Sequence, residues 1–154
     1  MALDRLDREL LCLLQRDNRR ALREYADELG ISTPTCLRRL RRLEKSGVVE
    51  RHAALLDPLR AGFGVMAYVE VALVNPSGVK MAAFERRMQR CPQVLGCAEL
   101  AGHVDYLLTV VARDMPEFGD FTRRELANDR EVRRFNSLMV LREVKARNGL
   151  PLED

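Results

Sequence analysis

Two short segments with helical apolar spacing, joined at a glycine, constrain this chain more than any other feature of its sequence. The first runs from Leu22 to Leu29, and Gly30 follows it, a residue that readily takes the left-handed conformation at a helix end. In the second, Ser32 is a suitable N-cap, and Pro34 falls in the first turn, where its missing N–H has no cost. Two helices joined by a short turn that contains glycine are typical of a helix-turn-helix.

Positive charge is concentrated on the second of these helices. The net charge is +3, and residues 1–64 hold 13 Lys and Arg against 10 Asp and Glu, whereas residues 65–154 are balanced. Between Ser32 and Ser46 the only acidic residue is Glu44. Concentrated charge of this kind indicates an anionic partner more clearly than net charge does. The basic residues of the helix are Arg38, Arg39, Arg41, Arg42 and Lys45.

A basic second helix predicts binding to the major groove of double-stranded DNA. Thr33 and Thr35 offer hydroxyl groups and a methyl group to base edges, and Arg38 suits a two-pronged contact with guanine. The remaining four cations suit phosphate contacts: Arg39, Arg41, Arg42 and Lys45. The alternative is an amphipathic helix with ordinary surface charge.

The spacing of apolar residues changes along the chain and predicts two domains, a connecting segment and a tail. Residues 1–47 contain three helical segments, the first marked by leucines from Leu3 to Leu14, and form the expected helix-turn-helix domain. Residues 48–64 have no helical period and predict a strand or linker that ends near Gly62 and Gly64. Residues 65–147 form the second expected domain, and residues 148–154 a tail.

The second domain alternates strands and helices in the order βαββαβ, which is the ferredoxin-like pattern. Met81, Phe84 and Met88 mark its first helix; Asp114 begins the second, where Phe118 and Phe121 face inward and Leu126 fits the helical period less well. The fold class is therefore α+β. The predicted strands are Val65–Val74, Val94–Leu100, Tyr106–Ala112 and about Phe135–Val144.

The first of these strands predicts an obligate dimer. Its side chains are apolar on both faces except at Glu70. Two helices cover one face of a four-stranded sheet, so we expect a second subunit on the other.

Composition excludes several other classes. No apolar run approaches the ~20 residues of a membrane span, and the N-terminus lacks the apolar core of a signal peptide, so we expect a cytoplasmic protein without a membrane partner. The four Cys include no CxxC pair and there are only two His, which predicts reduced thiols and no metal site. No nucleophile–base pair or phosphate-binding glycine loop occurs, so no catalytic residue is predicted.

Four stretches, in order along nearly the whole chain, resemble the Lrp/AsnC family of transcriptional regulators. They are LDRLDRELLCLLQRDNR, ISTPTCLRRLRRLEKSGVVERHAALLDP, AGHVDYLLTV and VLREVK, and the second is most similar to leucine-responsive members. The resemblance implies a winged-type helix-turn-helix followed by a βαββαβ domain, called RAM, that forms homodimers and often octamers of four dimers. It also implies an amino-acid effector bound between dimers, and no other cofactor.

The family's effector loop has the pattern G-x-x-D-Y, which this chain matches from Gly102 to Tyr106. By this resemblance the loop N–H groups would hold a carboxylate and Asp105 an ammonium. Met139 and Val104 would provide an apolar wall, which favours leucine or methionine. The effector-binding residues implied are Gly102, His103, Val104, Asp105, Tyr106, Ser137 and Met139.

Two alternatives remain open. A sensor or interaction protein without DNA binding would lose the arginine cluster, which this chain keeps. The second alternative is an enzyme like the siroheme decarboxylases, whose two-domain architecture is similar. Such an enzyme would need His, Arg or Tyr side chains around a bound tetrapyrrole.

Overall fold

The computed structural model describes residues 2–145 and 149–152, which divide into two compact units. The first comprises Met1–Leu55 with Val144–Asp154, and the second comprises Leu56–Glu143. The sequence pattern instead predicts boundaries after residues 47 and 64 and a tail at 148–154. Of that tail, residues 149–152 lie on the first unit, where Leu152 packs against its core; residues 148, 153 and 154 lie outside the described residues.

Three helices form the first unit: α1 (Arg5–Arg16), α2 (Leu22–Glu28) and α3 (Thr33–Lys45). Asp4 caps α1 and accepts from the N–H of Asp7, while Ser32 caps α3 and accepts from the N–H of Thr35. Gly30 has a φ of 65°, the left-handed conformation that the turn between α2 and α3 needs. The buried core of the unit consists of Leu10, Leu11, Leu13, Tyr25, Ala26, Cys36 and Leu43.

The connector between the two units forms no strand in the described chain. Residues 50–57 have no regular structure, and a turn covers residues 58–62. Leu55 and Leu56 are both exposed.

A four-stranded antiparallel sheet with helices on one face forms the second unit. Its elements are β1 (Val65–Leu73), α4 (Gly78–Arg90), β2 (Val94–Glu99), β3 (Tyr106–Ala112), α5 (Met115–Thr122), a π-helical turn (Arg123–Ala127) and β4 (Val132–Met139). The strand order is β2-β3-β1-β4, and every pair of neighbours is antiparallel. The predicted βαββαβ class is confirmed.

The last strand differs from its predicted bounds of Phe135–Val144. It begins at Val132, which pairs with Leu73, and it ends at Met139, which pairs with Ala67. The N–H of Val140 still donates to the carbonyl of Met66. Because β1 begins at Val65, the residues beyond Leu141 have no further strand to pair with, and the sequence there becomes polar at Arg142 and Glu143.

The π-helical turn explains why Leu126 does not fit the helical period. The N–H of Asn128 donates to the carbonyl of Arg123 at 3.1 Å, which is the i→i+5 spacing of a π-turn. This wider turn rotates the end of the helix, and Leu126 is fully buried in the core with Phe118 and Phe121.

The two faces of the sheet have different environments. Alternate residues of β1 and β3, among them Val69 and Leu108, are buried beneath α4 and α5. The opposite face, which we call the open face, carries Tyr68 and, paired with it on β4, Leu138, and both are exposed. Among the described residues, no helix has the length and apolar character to cross a membrane.

Candidate functional site

Three cations form a stripe on the side of α3 that faces solvent. Arg38, Arg41 and Lys45 follow one another at i, i+3 and i+7, so they lie on one side of the helix. All three are exposed, and within the described part of the chain none of them makes a hydrogen bond or an ion pair. This outward stripe leaves three positive charges available to an anionic partner.

The other two arginines of α3 point toward α1. Arg39 Nη1 donates to Asp4 Oδ2 at 2.7 Å and to Asp7 Oδ1 at 2.8 Å. Arg42 Nη2 donates to Asp7 Oδ2. The hydrogen bond from Arg39 holds the pKa of the Asp4 carboxyl below its usual value. The carboxylates of Asp4, the N-cap of α1, and of Asp7, in its first turn, thus bind two of the five cations of the predicted DNA-binding helix.

This arrangement changes the role expected for Arg39. The sequence predicts a phosphate contact, but the Arg39 side chain is only 19% exposed and its two ion-pair partners are carboxylates within the unit. Arg42 is 47% exposed, so part of its side chain still faces solvent.

The N-terminus of α3 presents the two predicted threonines differently. Thr33 is exposed, and Thr35 is half-buried. The Thr35 hydroxyl oxygen accepts a hydrogen bond from the Ser32 hydroxyl at 2.9 Å. Its own hydroxyl hydrogen remains available for an acceptor on a base edge.

Asp7, which is not among the residues predicted from the sequence, is fully buried. The pattern did contain a signal, because Asp7 lies four residues after Leu3 and three before Leu10, within the apolar stripe of α1. A carboxylate at a buried position needs a charged partner. Arg39 and Arg42, one helical turn apart on α3, supply it.

The predicted effector loop lies between β2 and β3, and its first residues are exposed. Gly102 and His103 face solvent, and His103 Nε2 lies 3.8 Å from Glu70 Oε1. Arg134 donates to the carbonyl of His103 at 3.3 Å. Val104, by contrast, is buried, so it faces the interior of the unit.

Asp105 is bound to the sheet through both its backbone and its side chain. Its N–H donates to the carbonyl of Val71 at 2.9 Å. One carboxylate oxygen, Oδ2, accepts from the N–H of Leu73 at 2.7 Å. Oδ1 accepts no hydrogen bond from the described residues and is available for the predicted ammonium contact.

Tyr106 belongs to the core rather than to the open side of the loop. Its ring lies 4.8 Å from that of Phe84, and its hydroxyl donates to Glu85 Oε1 at 2.8 Å. Burial and the Glu85 carboxylate together raise the pKa of Tyr106 well above its usual value. The same residue lines a cleft of about 450 Å³ between α4 and β2, together with Glu85, Glu99 and Cys97.

Ser137 and Met139 lie on β4, on the far side of β1 from the loop. Ser137 pairs with Val69, whereas Tyr106 at the end of the loop pairs with Val71. Because neighbouring strands are about 4.8 Å apart, β3 and β4 are separated by about 10 Å. Ser137 and Met139 therefore lie about 10 Å from the strand that follows the loop, although Arg134, earlier on β4, reaches the carbonyl of His103.

Two family models match the chain. Residues 3–50 match a winged helix-turn-helix DNA-binding model, and residues 66–150 match the Lrp/AsnC ligand binding domain. The first match contains α1 to α3, and the second contains the sheet from the second residue of β1 to the end of β4.

Curated relatives match over almost their full length. The leucine-responsive regulatory protein of Rhizobium meliloti is 36% identical over 143 residues, which cover 93% of this chain and 92% of the relative. The DNA-binding transcriptional activator DecR of Escherichia coli K12 is 33% identical over 151 residues, covering 98% of this chain and 99% of the relative.

Solved structures share both the fold and the sequence pattern. An AsnC family transcriptional regulator from Agrobacterium tumefaciens is 34% identical with a TM-score of 0.90, and the match covers 97% of each chain. A transcriptional regulator from Neisseria meningitidis, solved as a complex with L-Met, is 34% identical with a TM-score of 0.92, and the match covers 98% of this chain and 97% of that one.

Proposed function

This chain belongs to the Lrp/AsnC family of DNA-binding transcriptional regulators, and from that membership we propose that it binds operator DNA through α3 and responds to an amino acid. The observation that carries the DNA assignment is the outward stripe of Arg38, Arg41 and Lys45. These cations are exposed on the second helix of a helix-turn-helix, which is the element that enters the major groove.

We assign each polar side chain of α3 to a base edge, to a phosphate or to the fold of the unit, according to the contacts it makes within the chain. Arg38, one turn from the N-terminus, is assigned to a base edge with Thr33 and Thr35 beside it. Arg41 and Lys45 are assigned to phosphates, and Arg42 joins them through the part of its side chain that faces solvent. Arg39 is assigned to the fold of the unit instead.

Selection of duplexes from a random-sequence pool tests this function and does not require that the operator sequence be known. A dimer with two such helices selects a two-fold symmetric motif whose half-sites are about 34 Å apart, or a multiple of that distance. Recovery of a sequence-independent pool would contradict it.

The proposed effector is a mid-sized apolar amino acid, leucine or methionine. The Neisseria meningitidis neighbour bound to L-Met supports this class of ligand. Gly102 and His103 offer exposed backbone at the loop, Asp105 retains one free oxygen, and Met139 is exposed on β4. Since these groups lie on both sides of β1, the site we propose is completed by a second subunit or dimer.

The proposed assembly is a homodimer through the open face, with octamers of four dimers as the larger form. Tyr68 and Leu138 form an exposed apolar pair on that face. Glu70, the charged residue of β1, accepts a hydrogen bond from Asn136 at 3.2 Å, so its carboxylate already has a partner within the chain. One neutral amide offsets only part of the cost of burying a carboxylate, so the exposed apolar pair, not Glu70, favours an interface on this face.

The same proposal places the chain in the cytoplasm, where a regulator of this family meets its operator, and assigns it no enzymatic activity. The curated relatives are named as regulators rather than enzymes.

A further inference from the structure

Asp7 is the one charged residue that is buried in the described residues, and its carboxylate connects α1 to α3. Oδ1 accepts from Arg39, and Oδ2 accepts from both Arg42 and the N–H of Asp4. A buried carboxylate held by two guanidinium groups fixes the direction of each of them, because charge-assisted hydrogen bonds to arginine are directional.

Arg39 and Arg42 differ in how many of their N–H donors remain available to a further partner. Arg39 is mostly buried and binds two carboxylates. Arg42 binds Asp7 through Nη2, makes no other hydrogen bond with the described residues, and has a half-exposed side chain, so its remaining N–H groups have no partner in the described chain. An arginine has five N–H donors, which is enough to bind a carboxylate and a phosphate at the same time.

We propose that Asp7 is a positioning residue for DNA binding: it holds the guanidinium of Arg42 in the orientation that contacts a backbone phosphate. This inference rests on the proposed DNA interface and deepens it. Asp7 itself touches no DNA in this arrangement, and it acts through Arg42 alone, since Arg39 is directed into the unit.

A simple electrostatic view predicts the opposite outcome when the Asp7 charge is removed. Asp7→Asn raises the net charge of the domain by one, which by charge alone strengthens binding to DNA. If Asp7 positions Arg42, the same change weakens binding, because one phosphate contact is lost. The direction of the effect therefore separates the two views.

The experiment measures binding of the full chain to a random-sequence duplex by fluorescence anisotropy over a range of salt concentrations. For Asp7→Asn we expect weaker binding and a slope of log K against log salt that is shallower by about 0.9, the value of one phosphate contact. The control is Glu9→Gln, which removes a carboxylate of α1 whose partner is the exposed Arg5. It has the same effect on net charge, and we expect the parental slope. If Asp7→Asn binds like Glu9→Gln, the inference is wrong.

An Arg42→Ala background shows whether Asp7 acts through Arg42. There we expect Asp7→Asn to cause no further change in slope; a further decrease of the same size would overturn the inference. If Arg41→Ala, Arg42→Ala and Lys45→Ala, which remove the assigned phosphate contacts, all keep the parental slope, the proposed DNA interface itself has failed. If they lower it and Asp7→Asn does not, only this inference has failed.

If circular dichroism shows that Asp7→Asn is unfolded, the salt slope of Arg42→Lys tests the inference instead. Lysine keeps the charge but presents a single ammonium in place of a planar fork. We expect a shallower slope for Arg42→Lys, whereas the matched change Lys45→Arg keeps the parental slope. A parental slope for Arg42→Lys would show that charge alone suffices and would overturn the inference.

Discussion

The carboxylate of Asp105 accepts a hydrogen bond from the backbone N–H of Leu73 at 2.7 Å. Leu73 lies where the pairing of β1 with β4 changes register. Asp105 matches the effector-binding pattern of the family. Its side chain is thus also bonded to the backbone of the sheet. An effector that binds the Asp105 carboxylate therefore contacts a group that already holds the backbone of β1 through Leu73.

Substitution of Asp105 separates these two roles. Asp105→Ala leaves the N–H of Leu73 without its acceptor, and we expect a loss of about 1–3 kcal/mol in the free energy of unfolding, measured in urea. Asp105→Asn keeps an acceptor oxygen and is expected to be close to the parent in stability. Because it lacks the negative charge, we expect it to lose calorimetrically detected binding of L-methionine. An alanine variant as stable as the parent would contradict the hydrogen bond, and parental methionine binding by the asparagine variant would contradict the proposed ammonium contact.

Arg39 and Arg41 offer a matched pair on α3. Arg39→Ala removes one of the two guanidinium partners of the buried Asp7, and we expect about 1–3 kcal/mol of destabilisation, because Arg42 still binds Asp7, with little change in the salt dependence of DNA binding. Arg41→Ala removes an exposed cation without a described partner, so we expect unchanged stability and a salt slope shallower by about 0.9. Denaturant unfolding and anisotropy titrations measure the two effects. The reverse pattern would show that Arg39, not Arg41, contacts DNA.

The open face of the sheet predicts the effect of a charge on assembly. Leu138→Glu places a carboxylate opposite Tyr68 in the proposed dimer interface, and we expect a monomer in sedimentation at micromolar concentration. Val79→Glu changes a residue of α4 that is 80% exposed and is the control, with the parental mass expected. A dimeric Leu138→Glu variant would mean that the subunits meet elsewhere.

Asp4 gives a prediction about acid pH. The hydrogen bond from Arg39 lowers the pKa of Asp4 in the folded chain below its ordinary value of 3.8. The ionised carboxylate therefore stabilises the fold fully above about pH 4, and this contribution is lost as the pH falls through the folded pKa. We expect the melting temperature of Asp4→Asn, which keeps an N-capping side chain, to fall less between pH 5 and pH 3 than that of the parent. Parallel pH profiles for the two proteins would contradict the ion pair.

Local sequence pattern is sufficient to predict the order of the elements. The spacing of leucines and the position of Gly30 predict the three helices of the first unit, and alternation of strands and helices predicts the sheet. The predicted bounds of β4 are wrong because strand length depends on the partner. β1 begins at Val65, so it has no residue to pair with anything beyond Leu141, and the predicted end at Val144 has no partner strand.

The roles of individual charged side chains are harder to predict. Five cations on one helix look alike in sequence, yet Arg39 and Arg42 meet Asp7 while Arg38 does not. That difference arises from the packing of α1 against α3, which brings together residues more than 30 positions apart. Asp105 likewise matches a family pattern, but its bond to Leu73 depends on the register of three strands.

The most direct test of the central claim, that α3 of this chain recognises DNA sequence, is the affinity of Arg38→Ala for a duplex that the parent has selected from a random pool. The comparison is an unrelated duplex of equal length at the same salt concentration. We predict a loss of about 1–3 kcal/mol on the selected duplex, relaxed preference at one base pair of each half-site, and a much smaller change on the unrelated duplex. Parental affinity and preference in Arg38→Ala would contradict the assignment of α3 as the recognition helix.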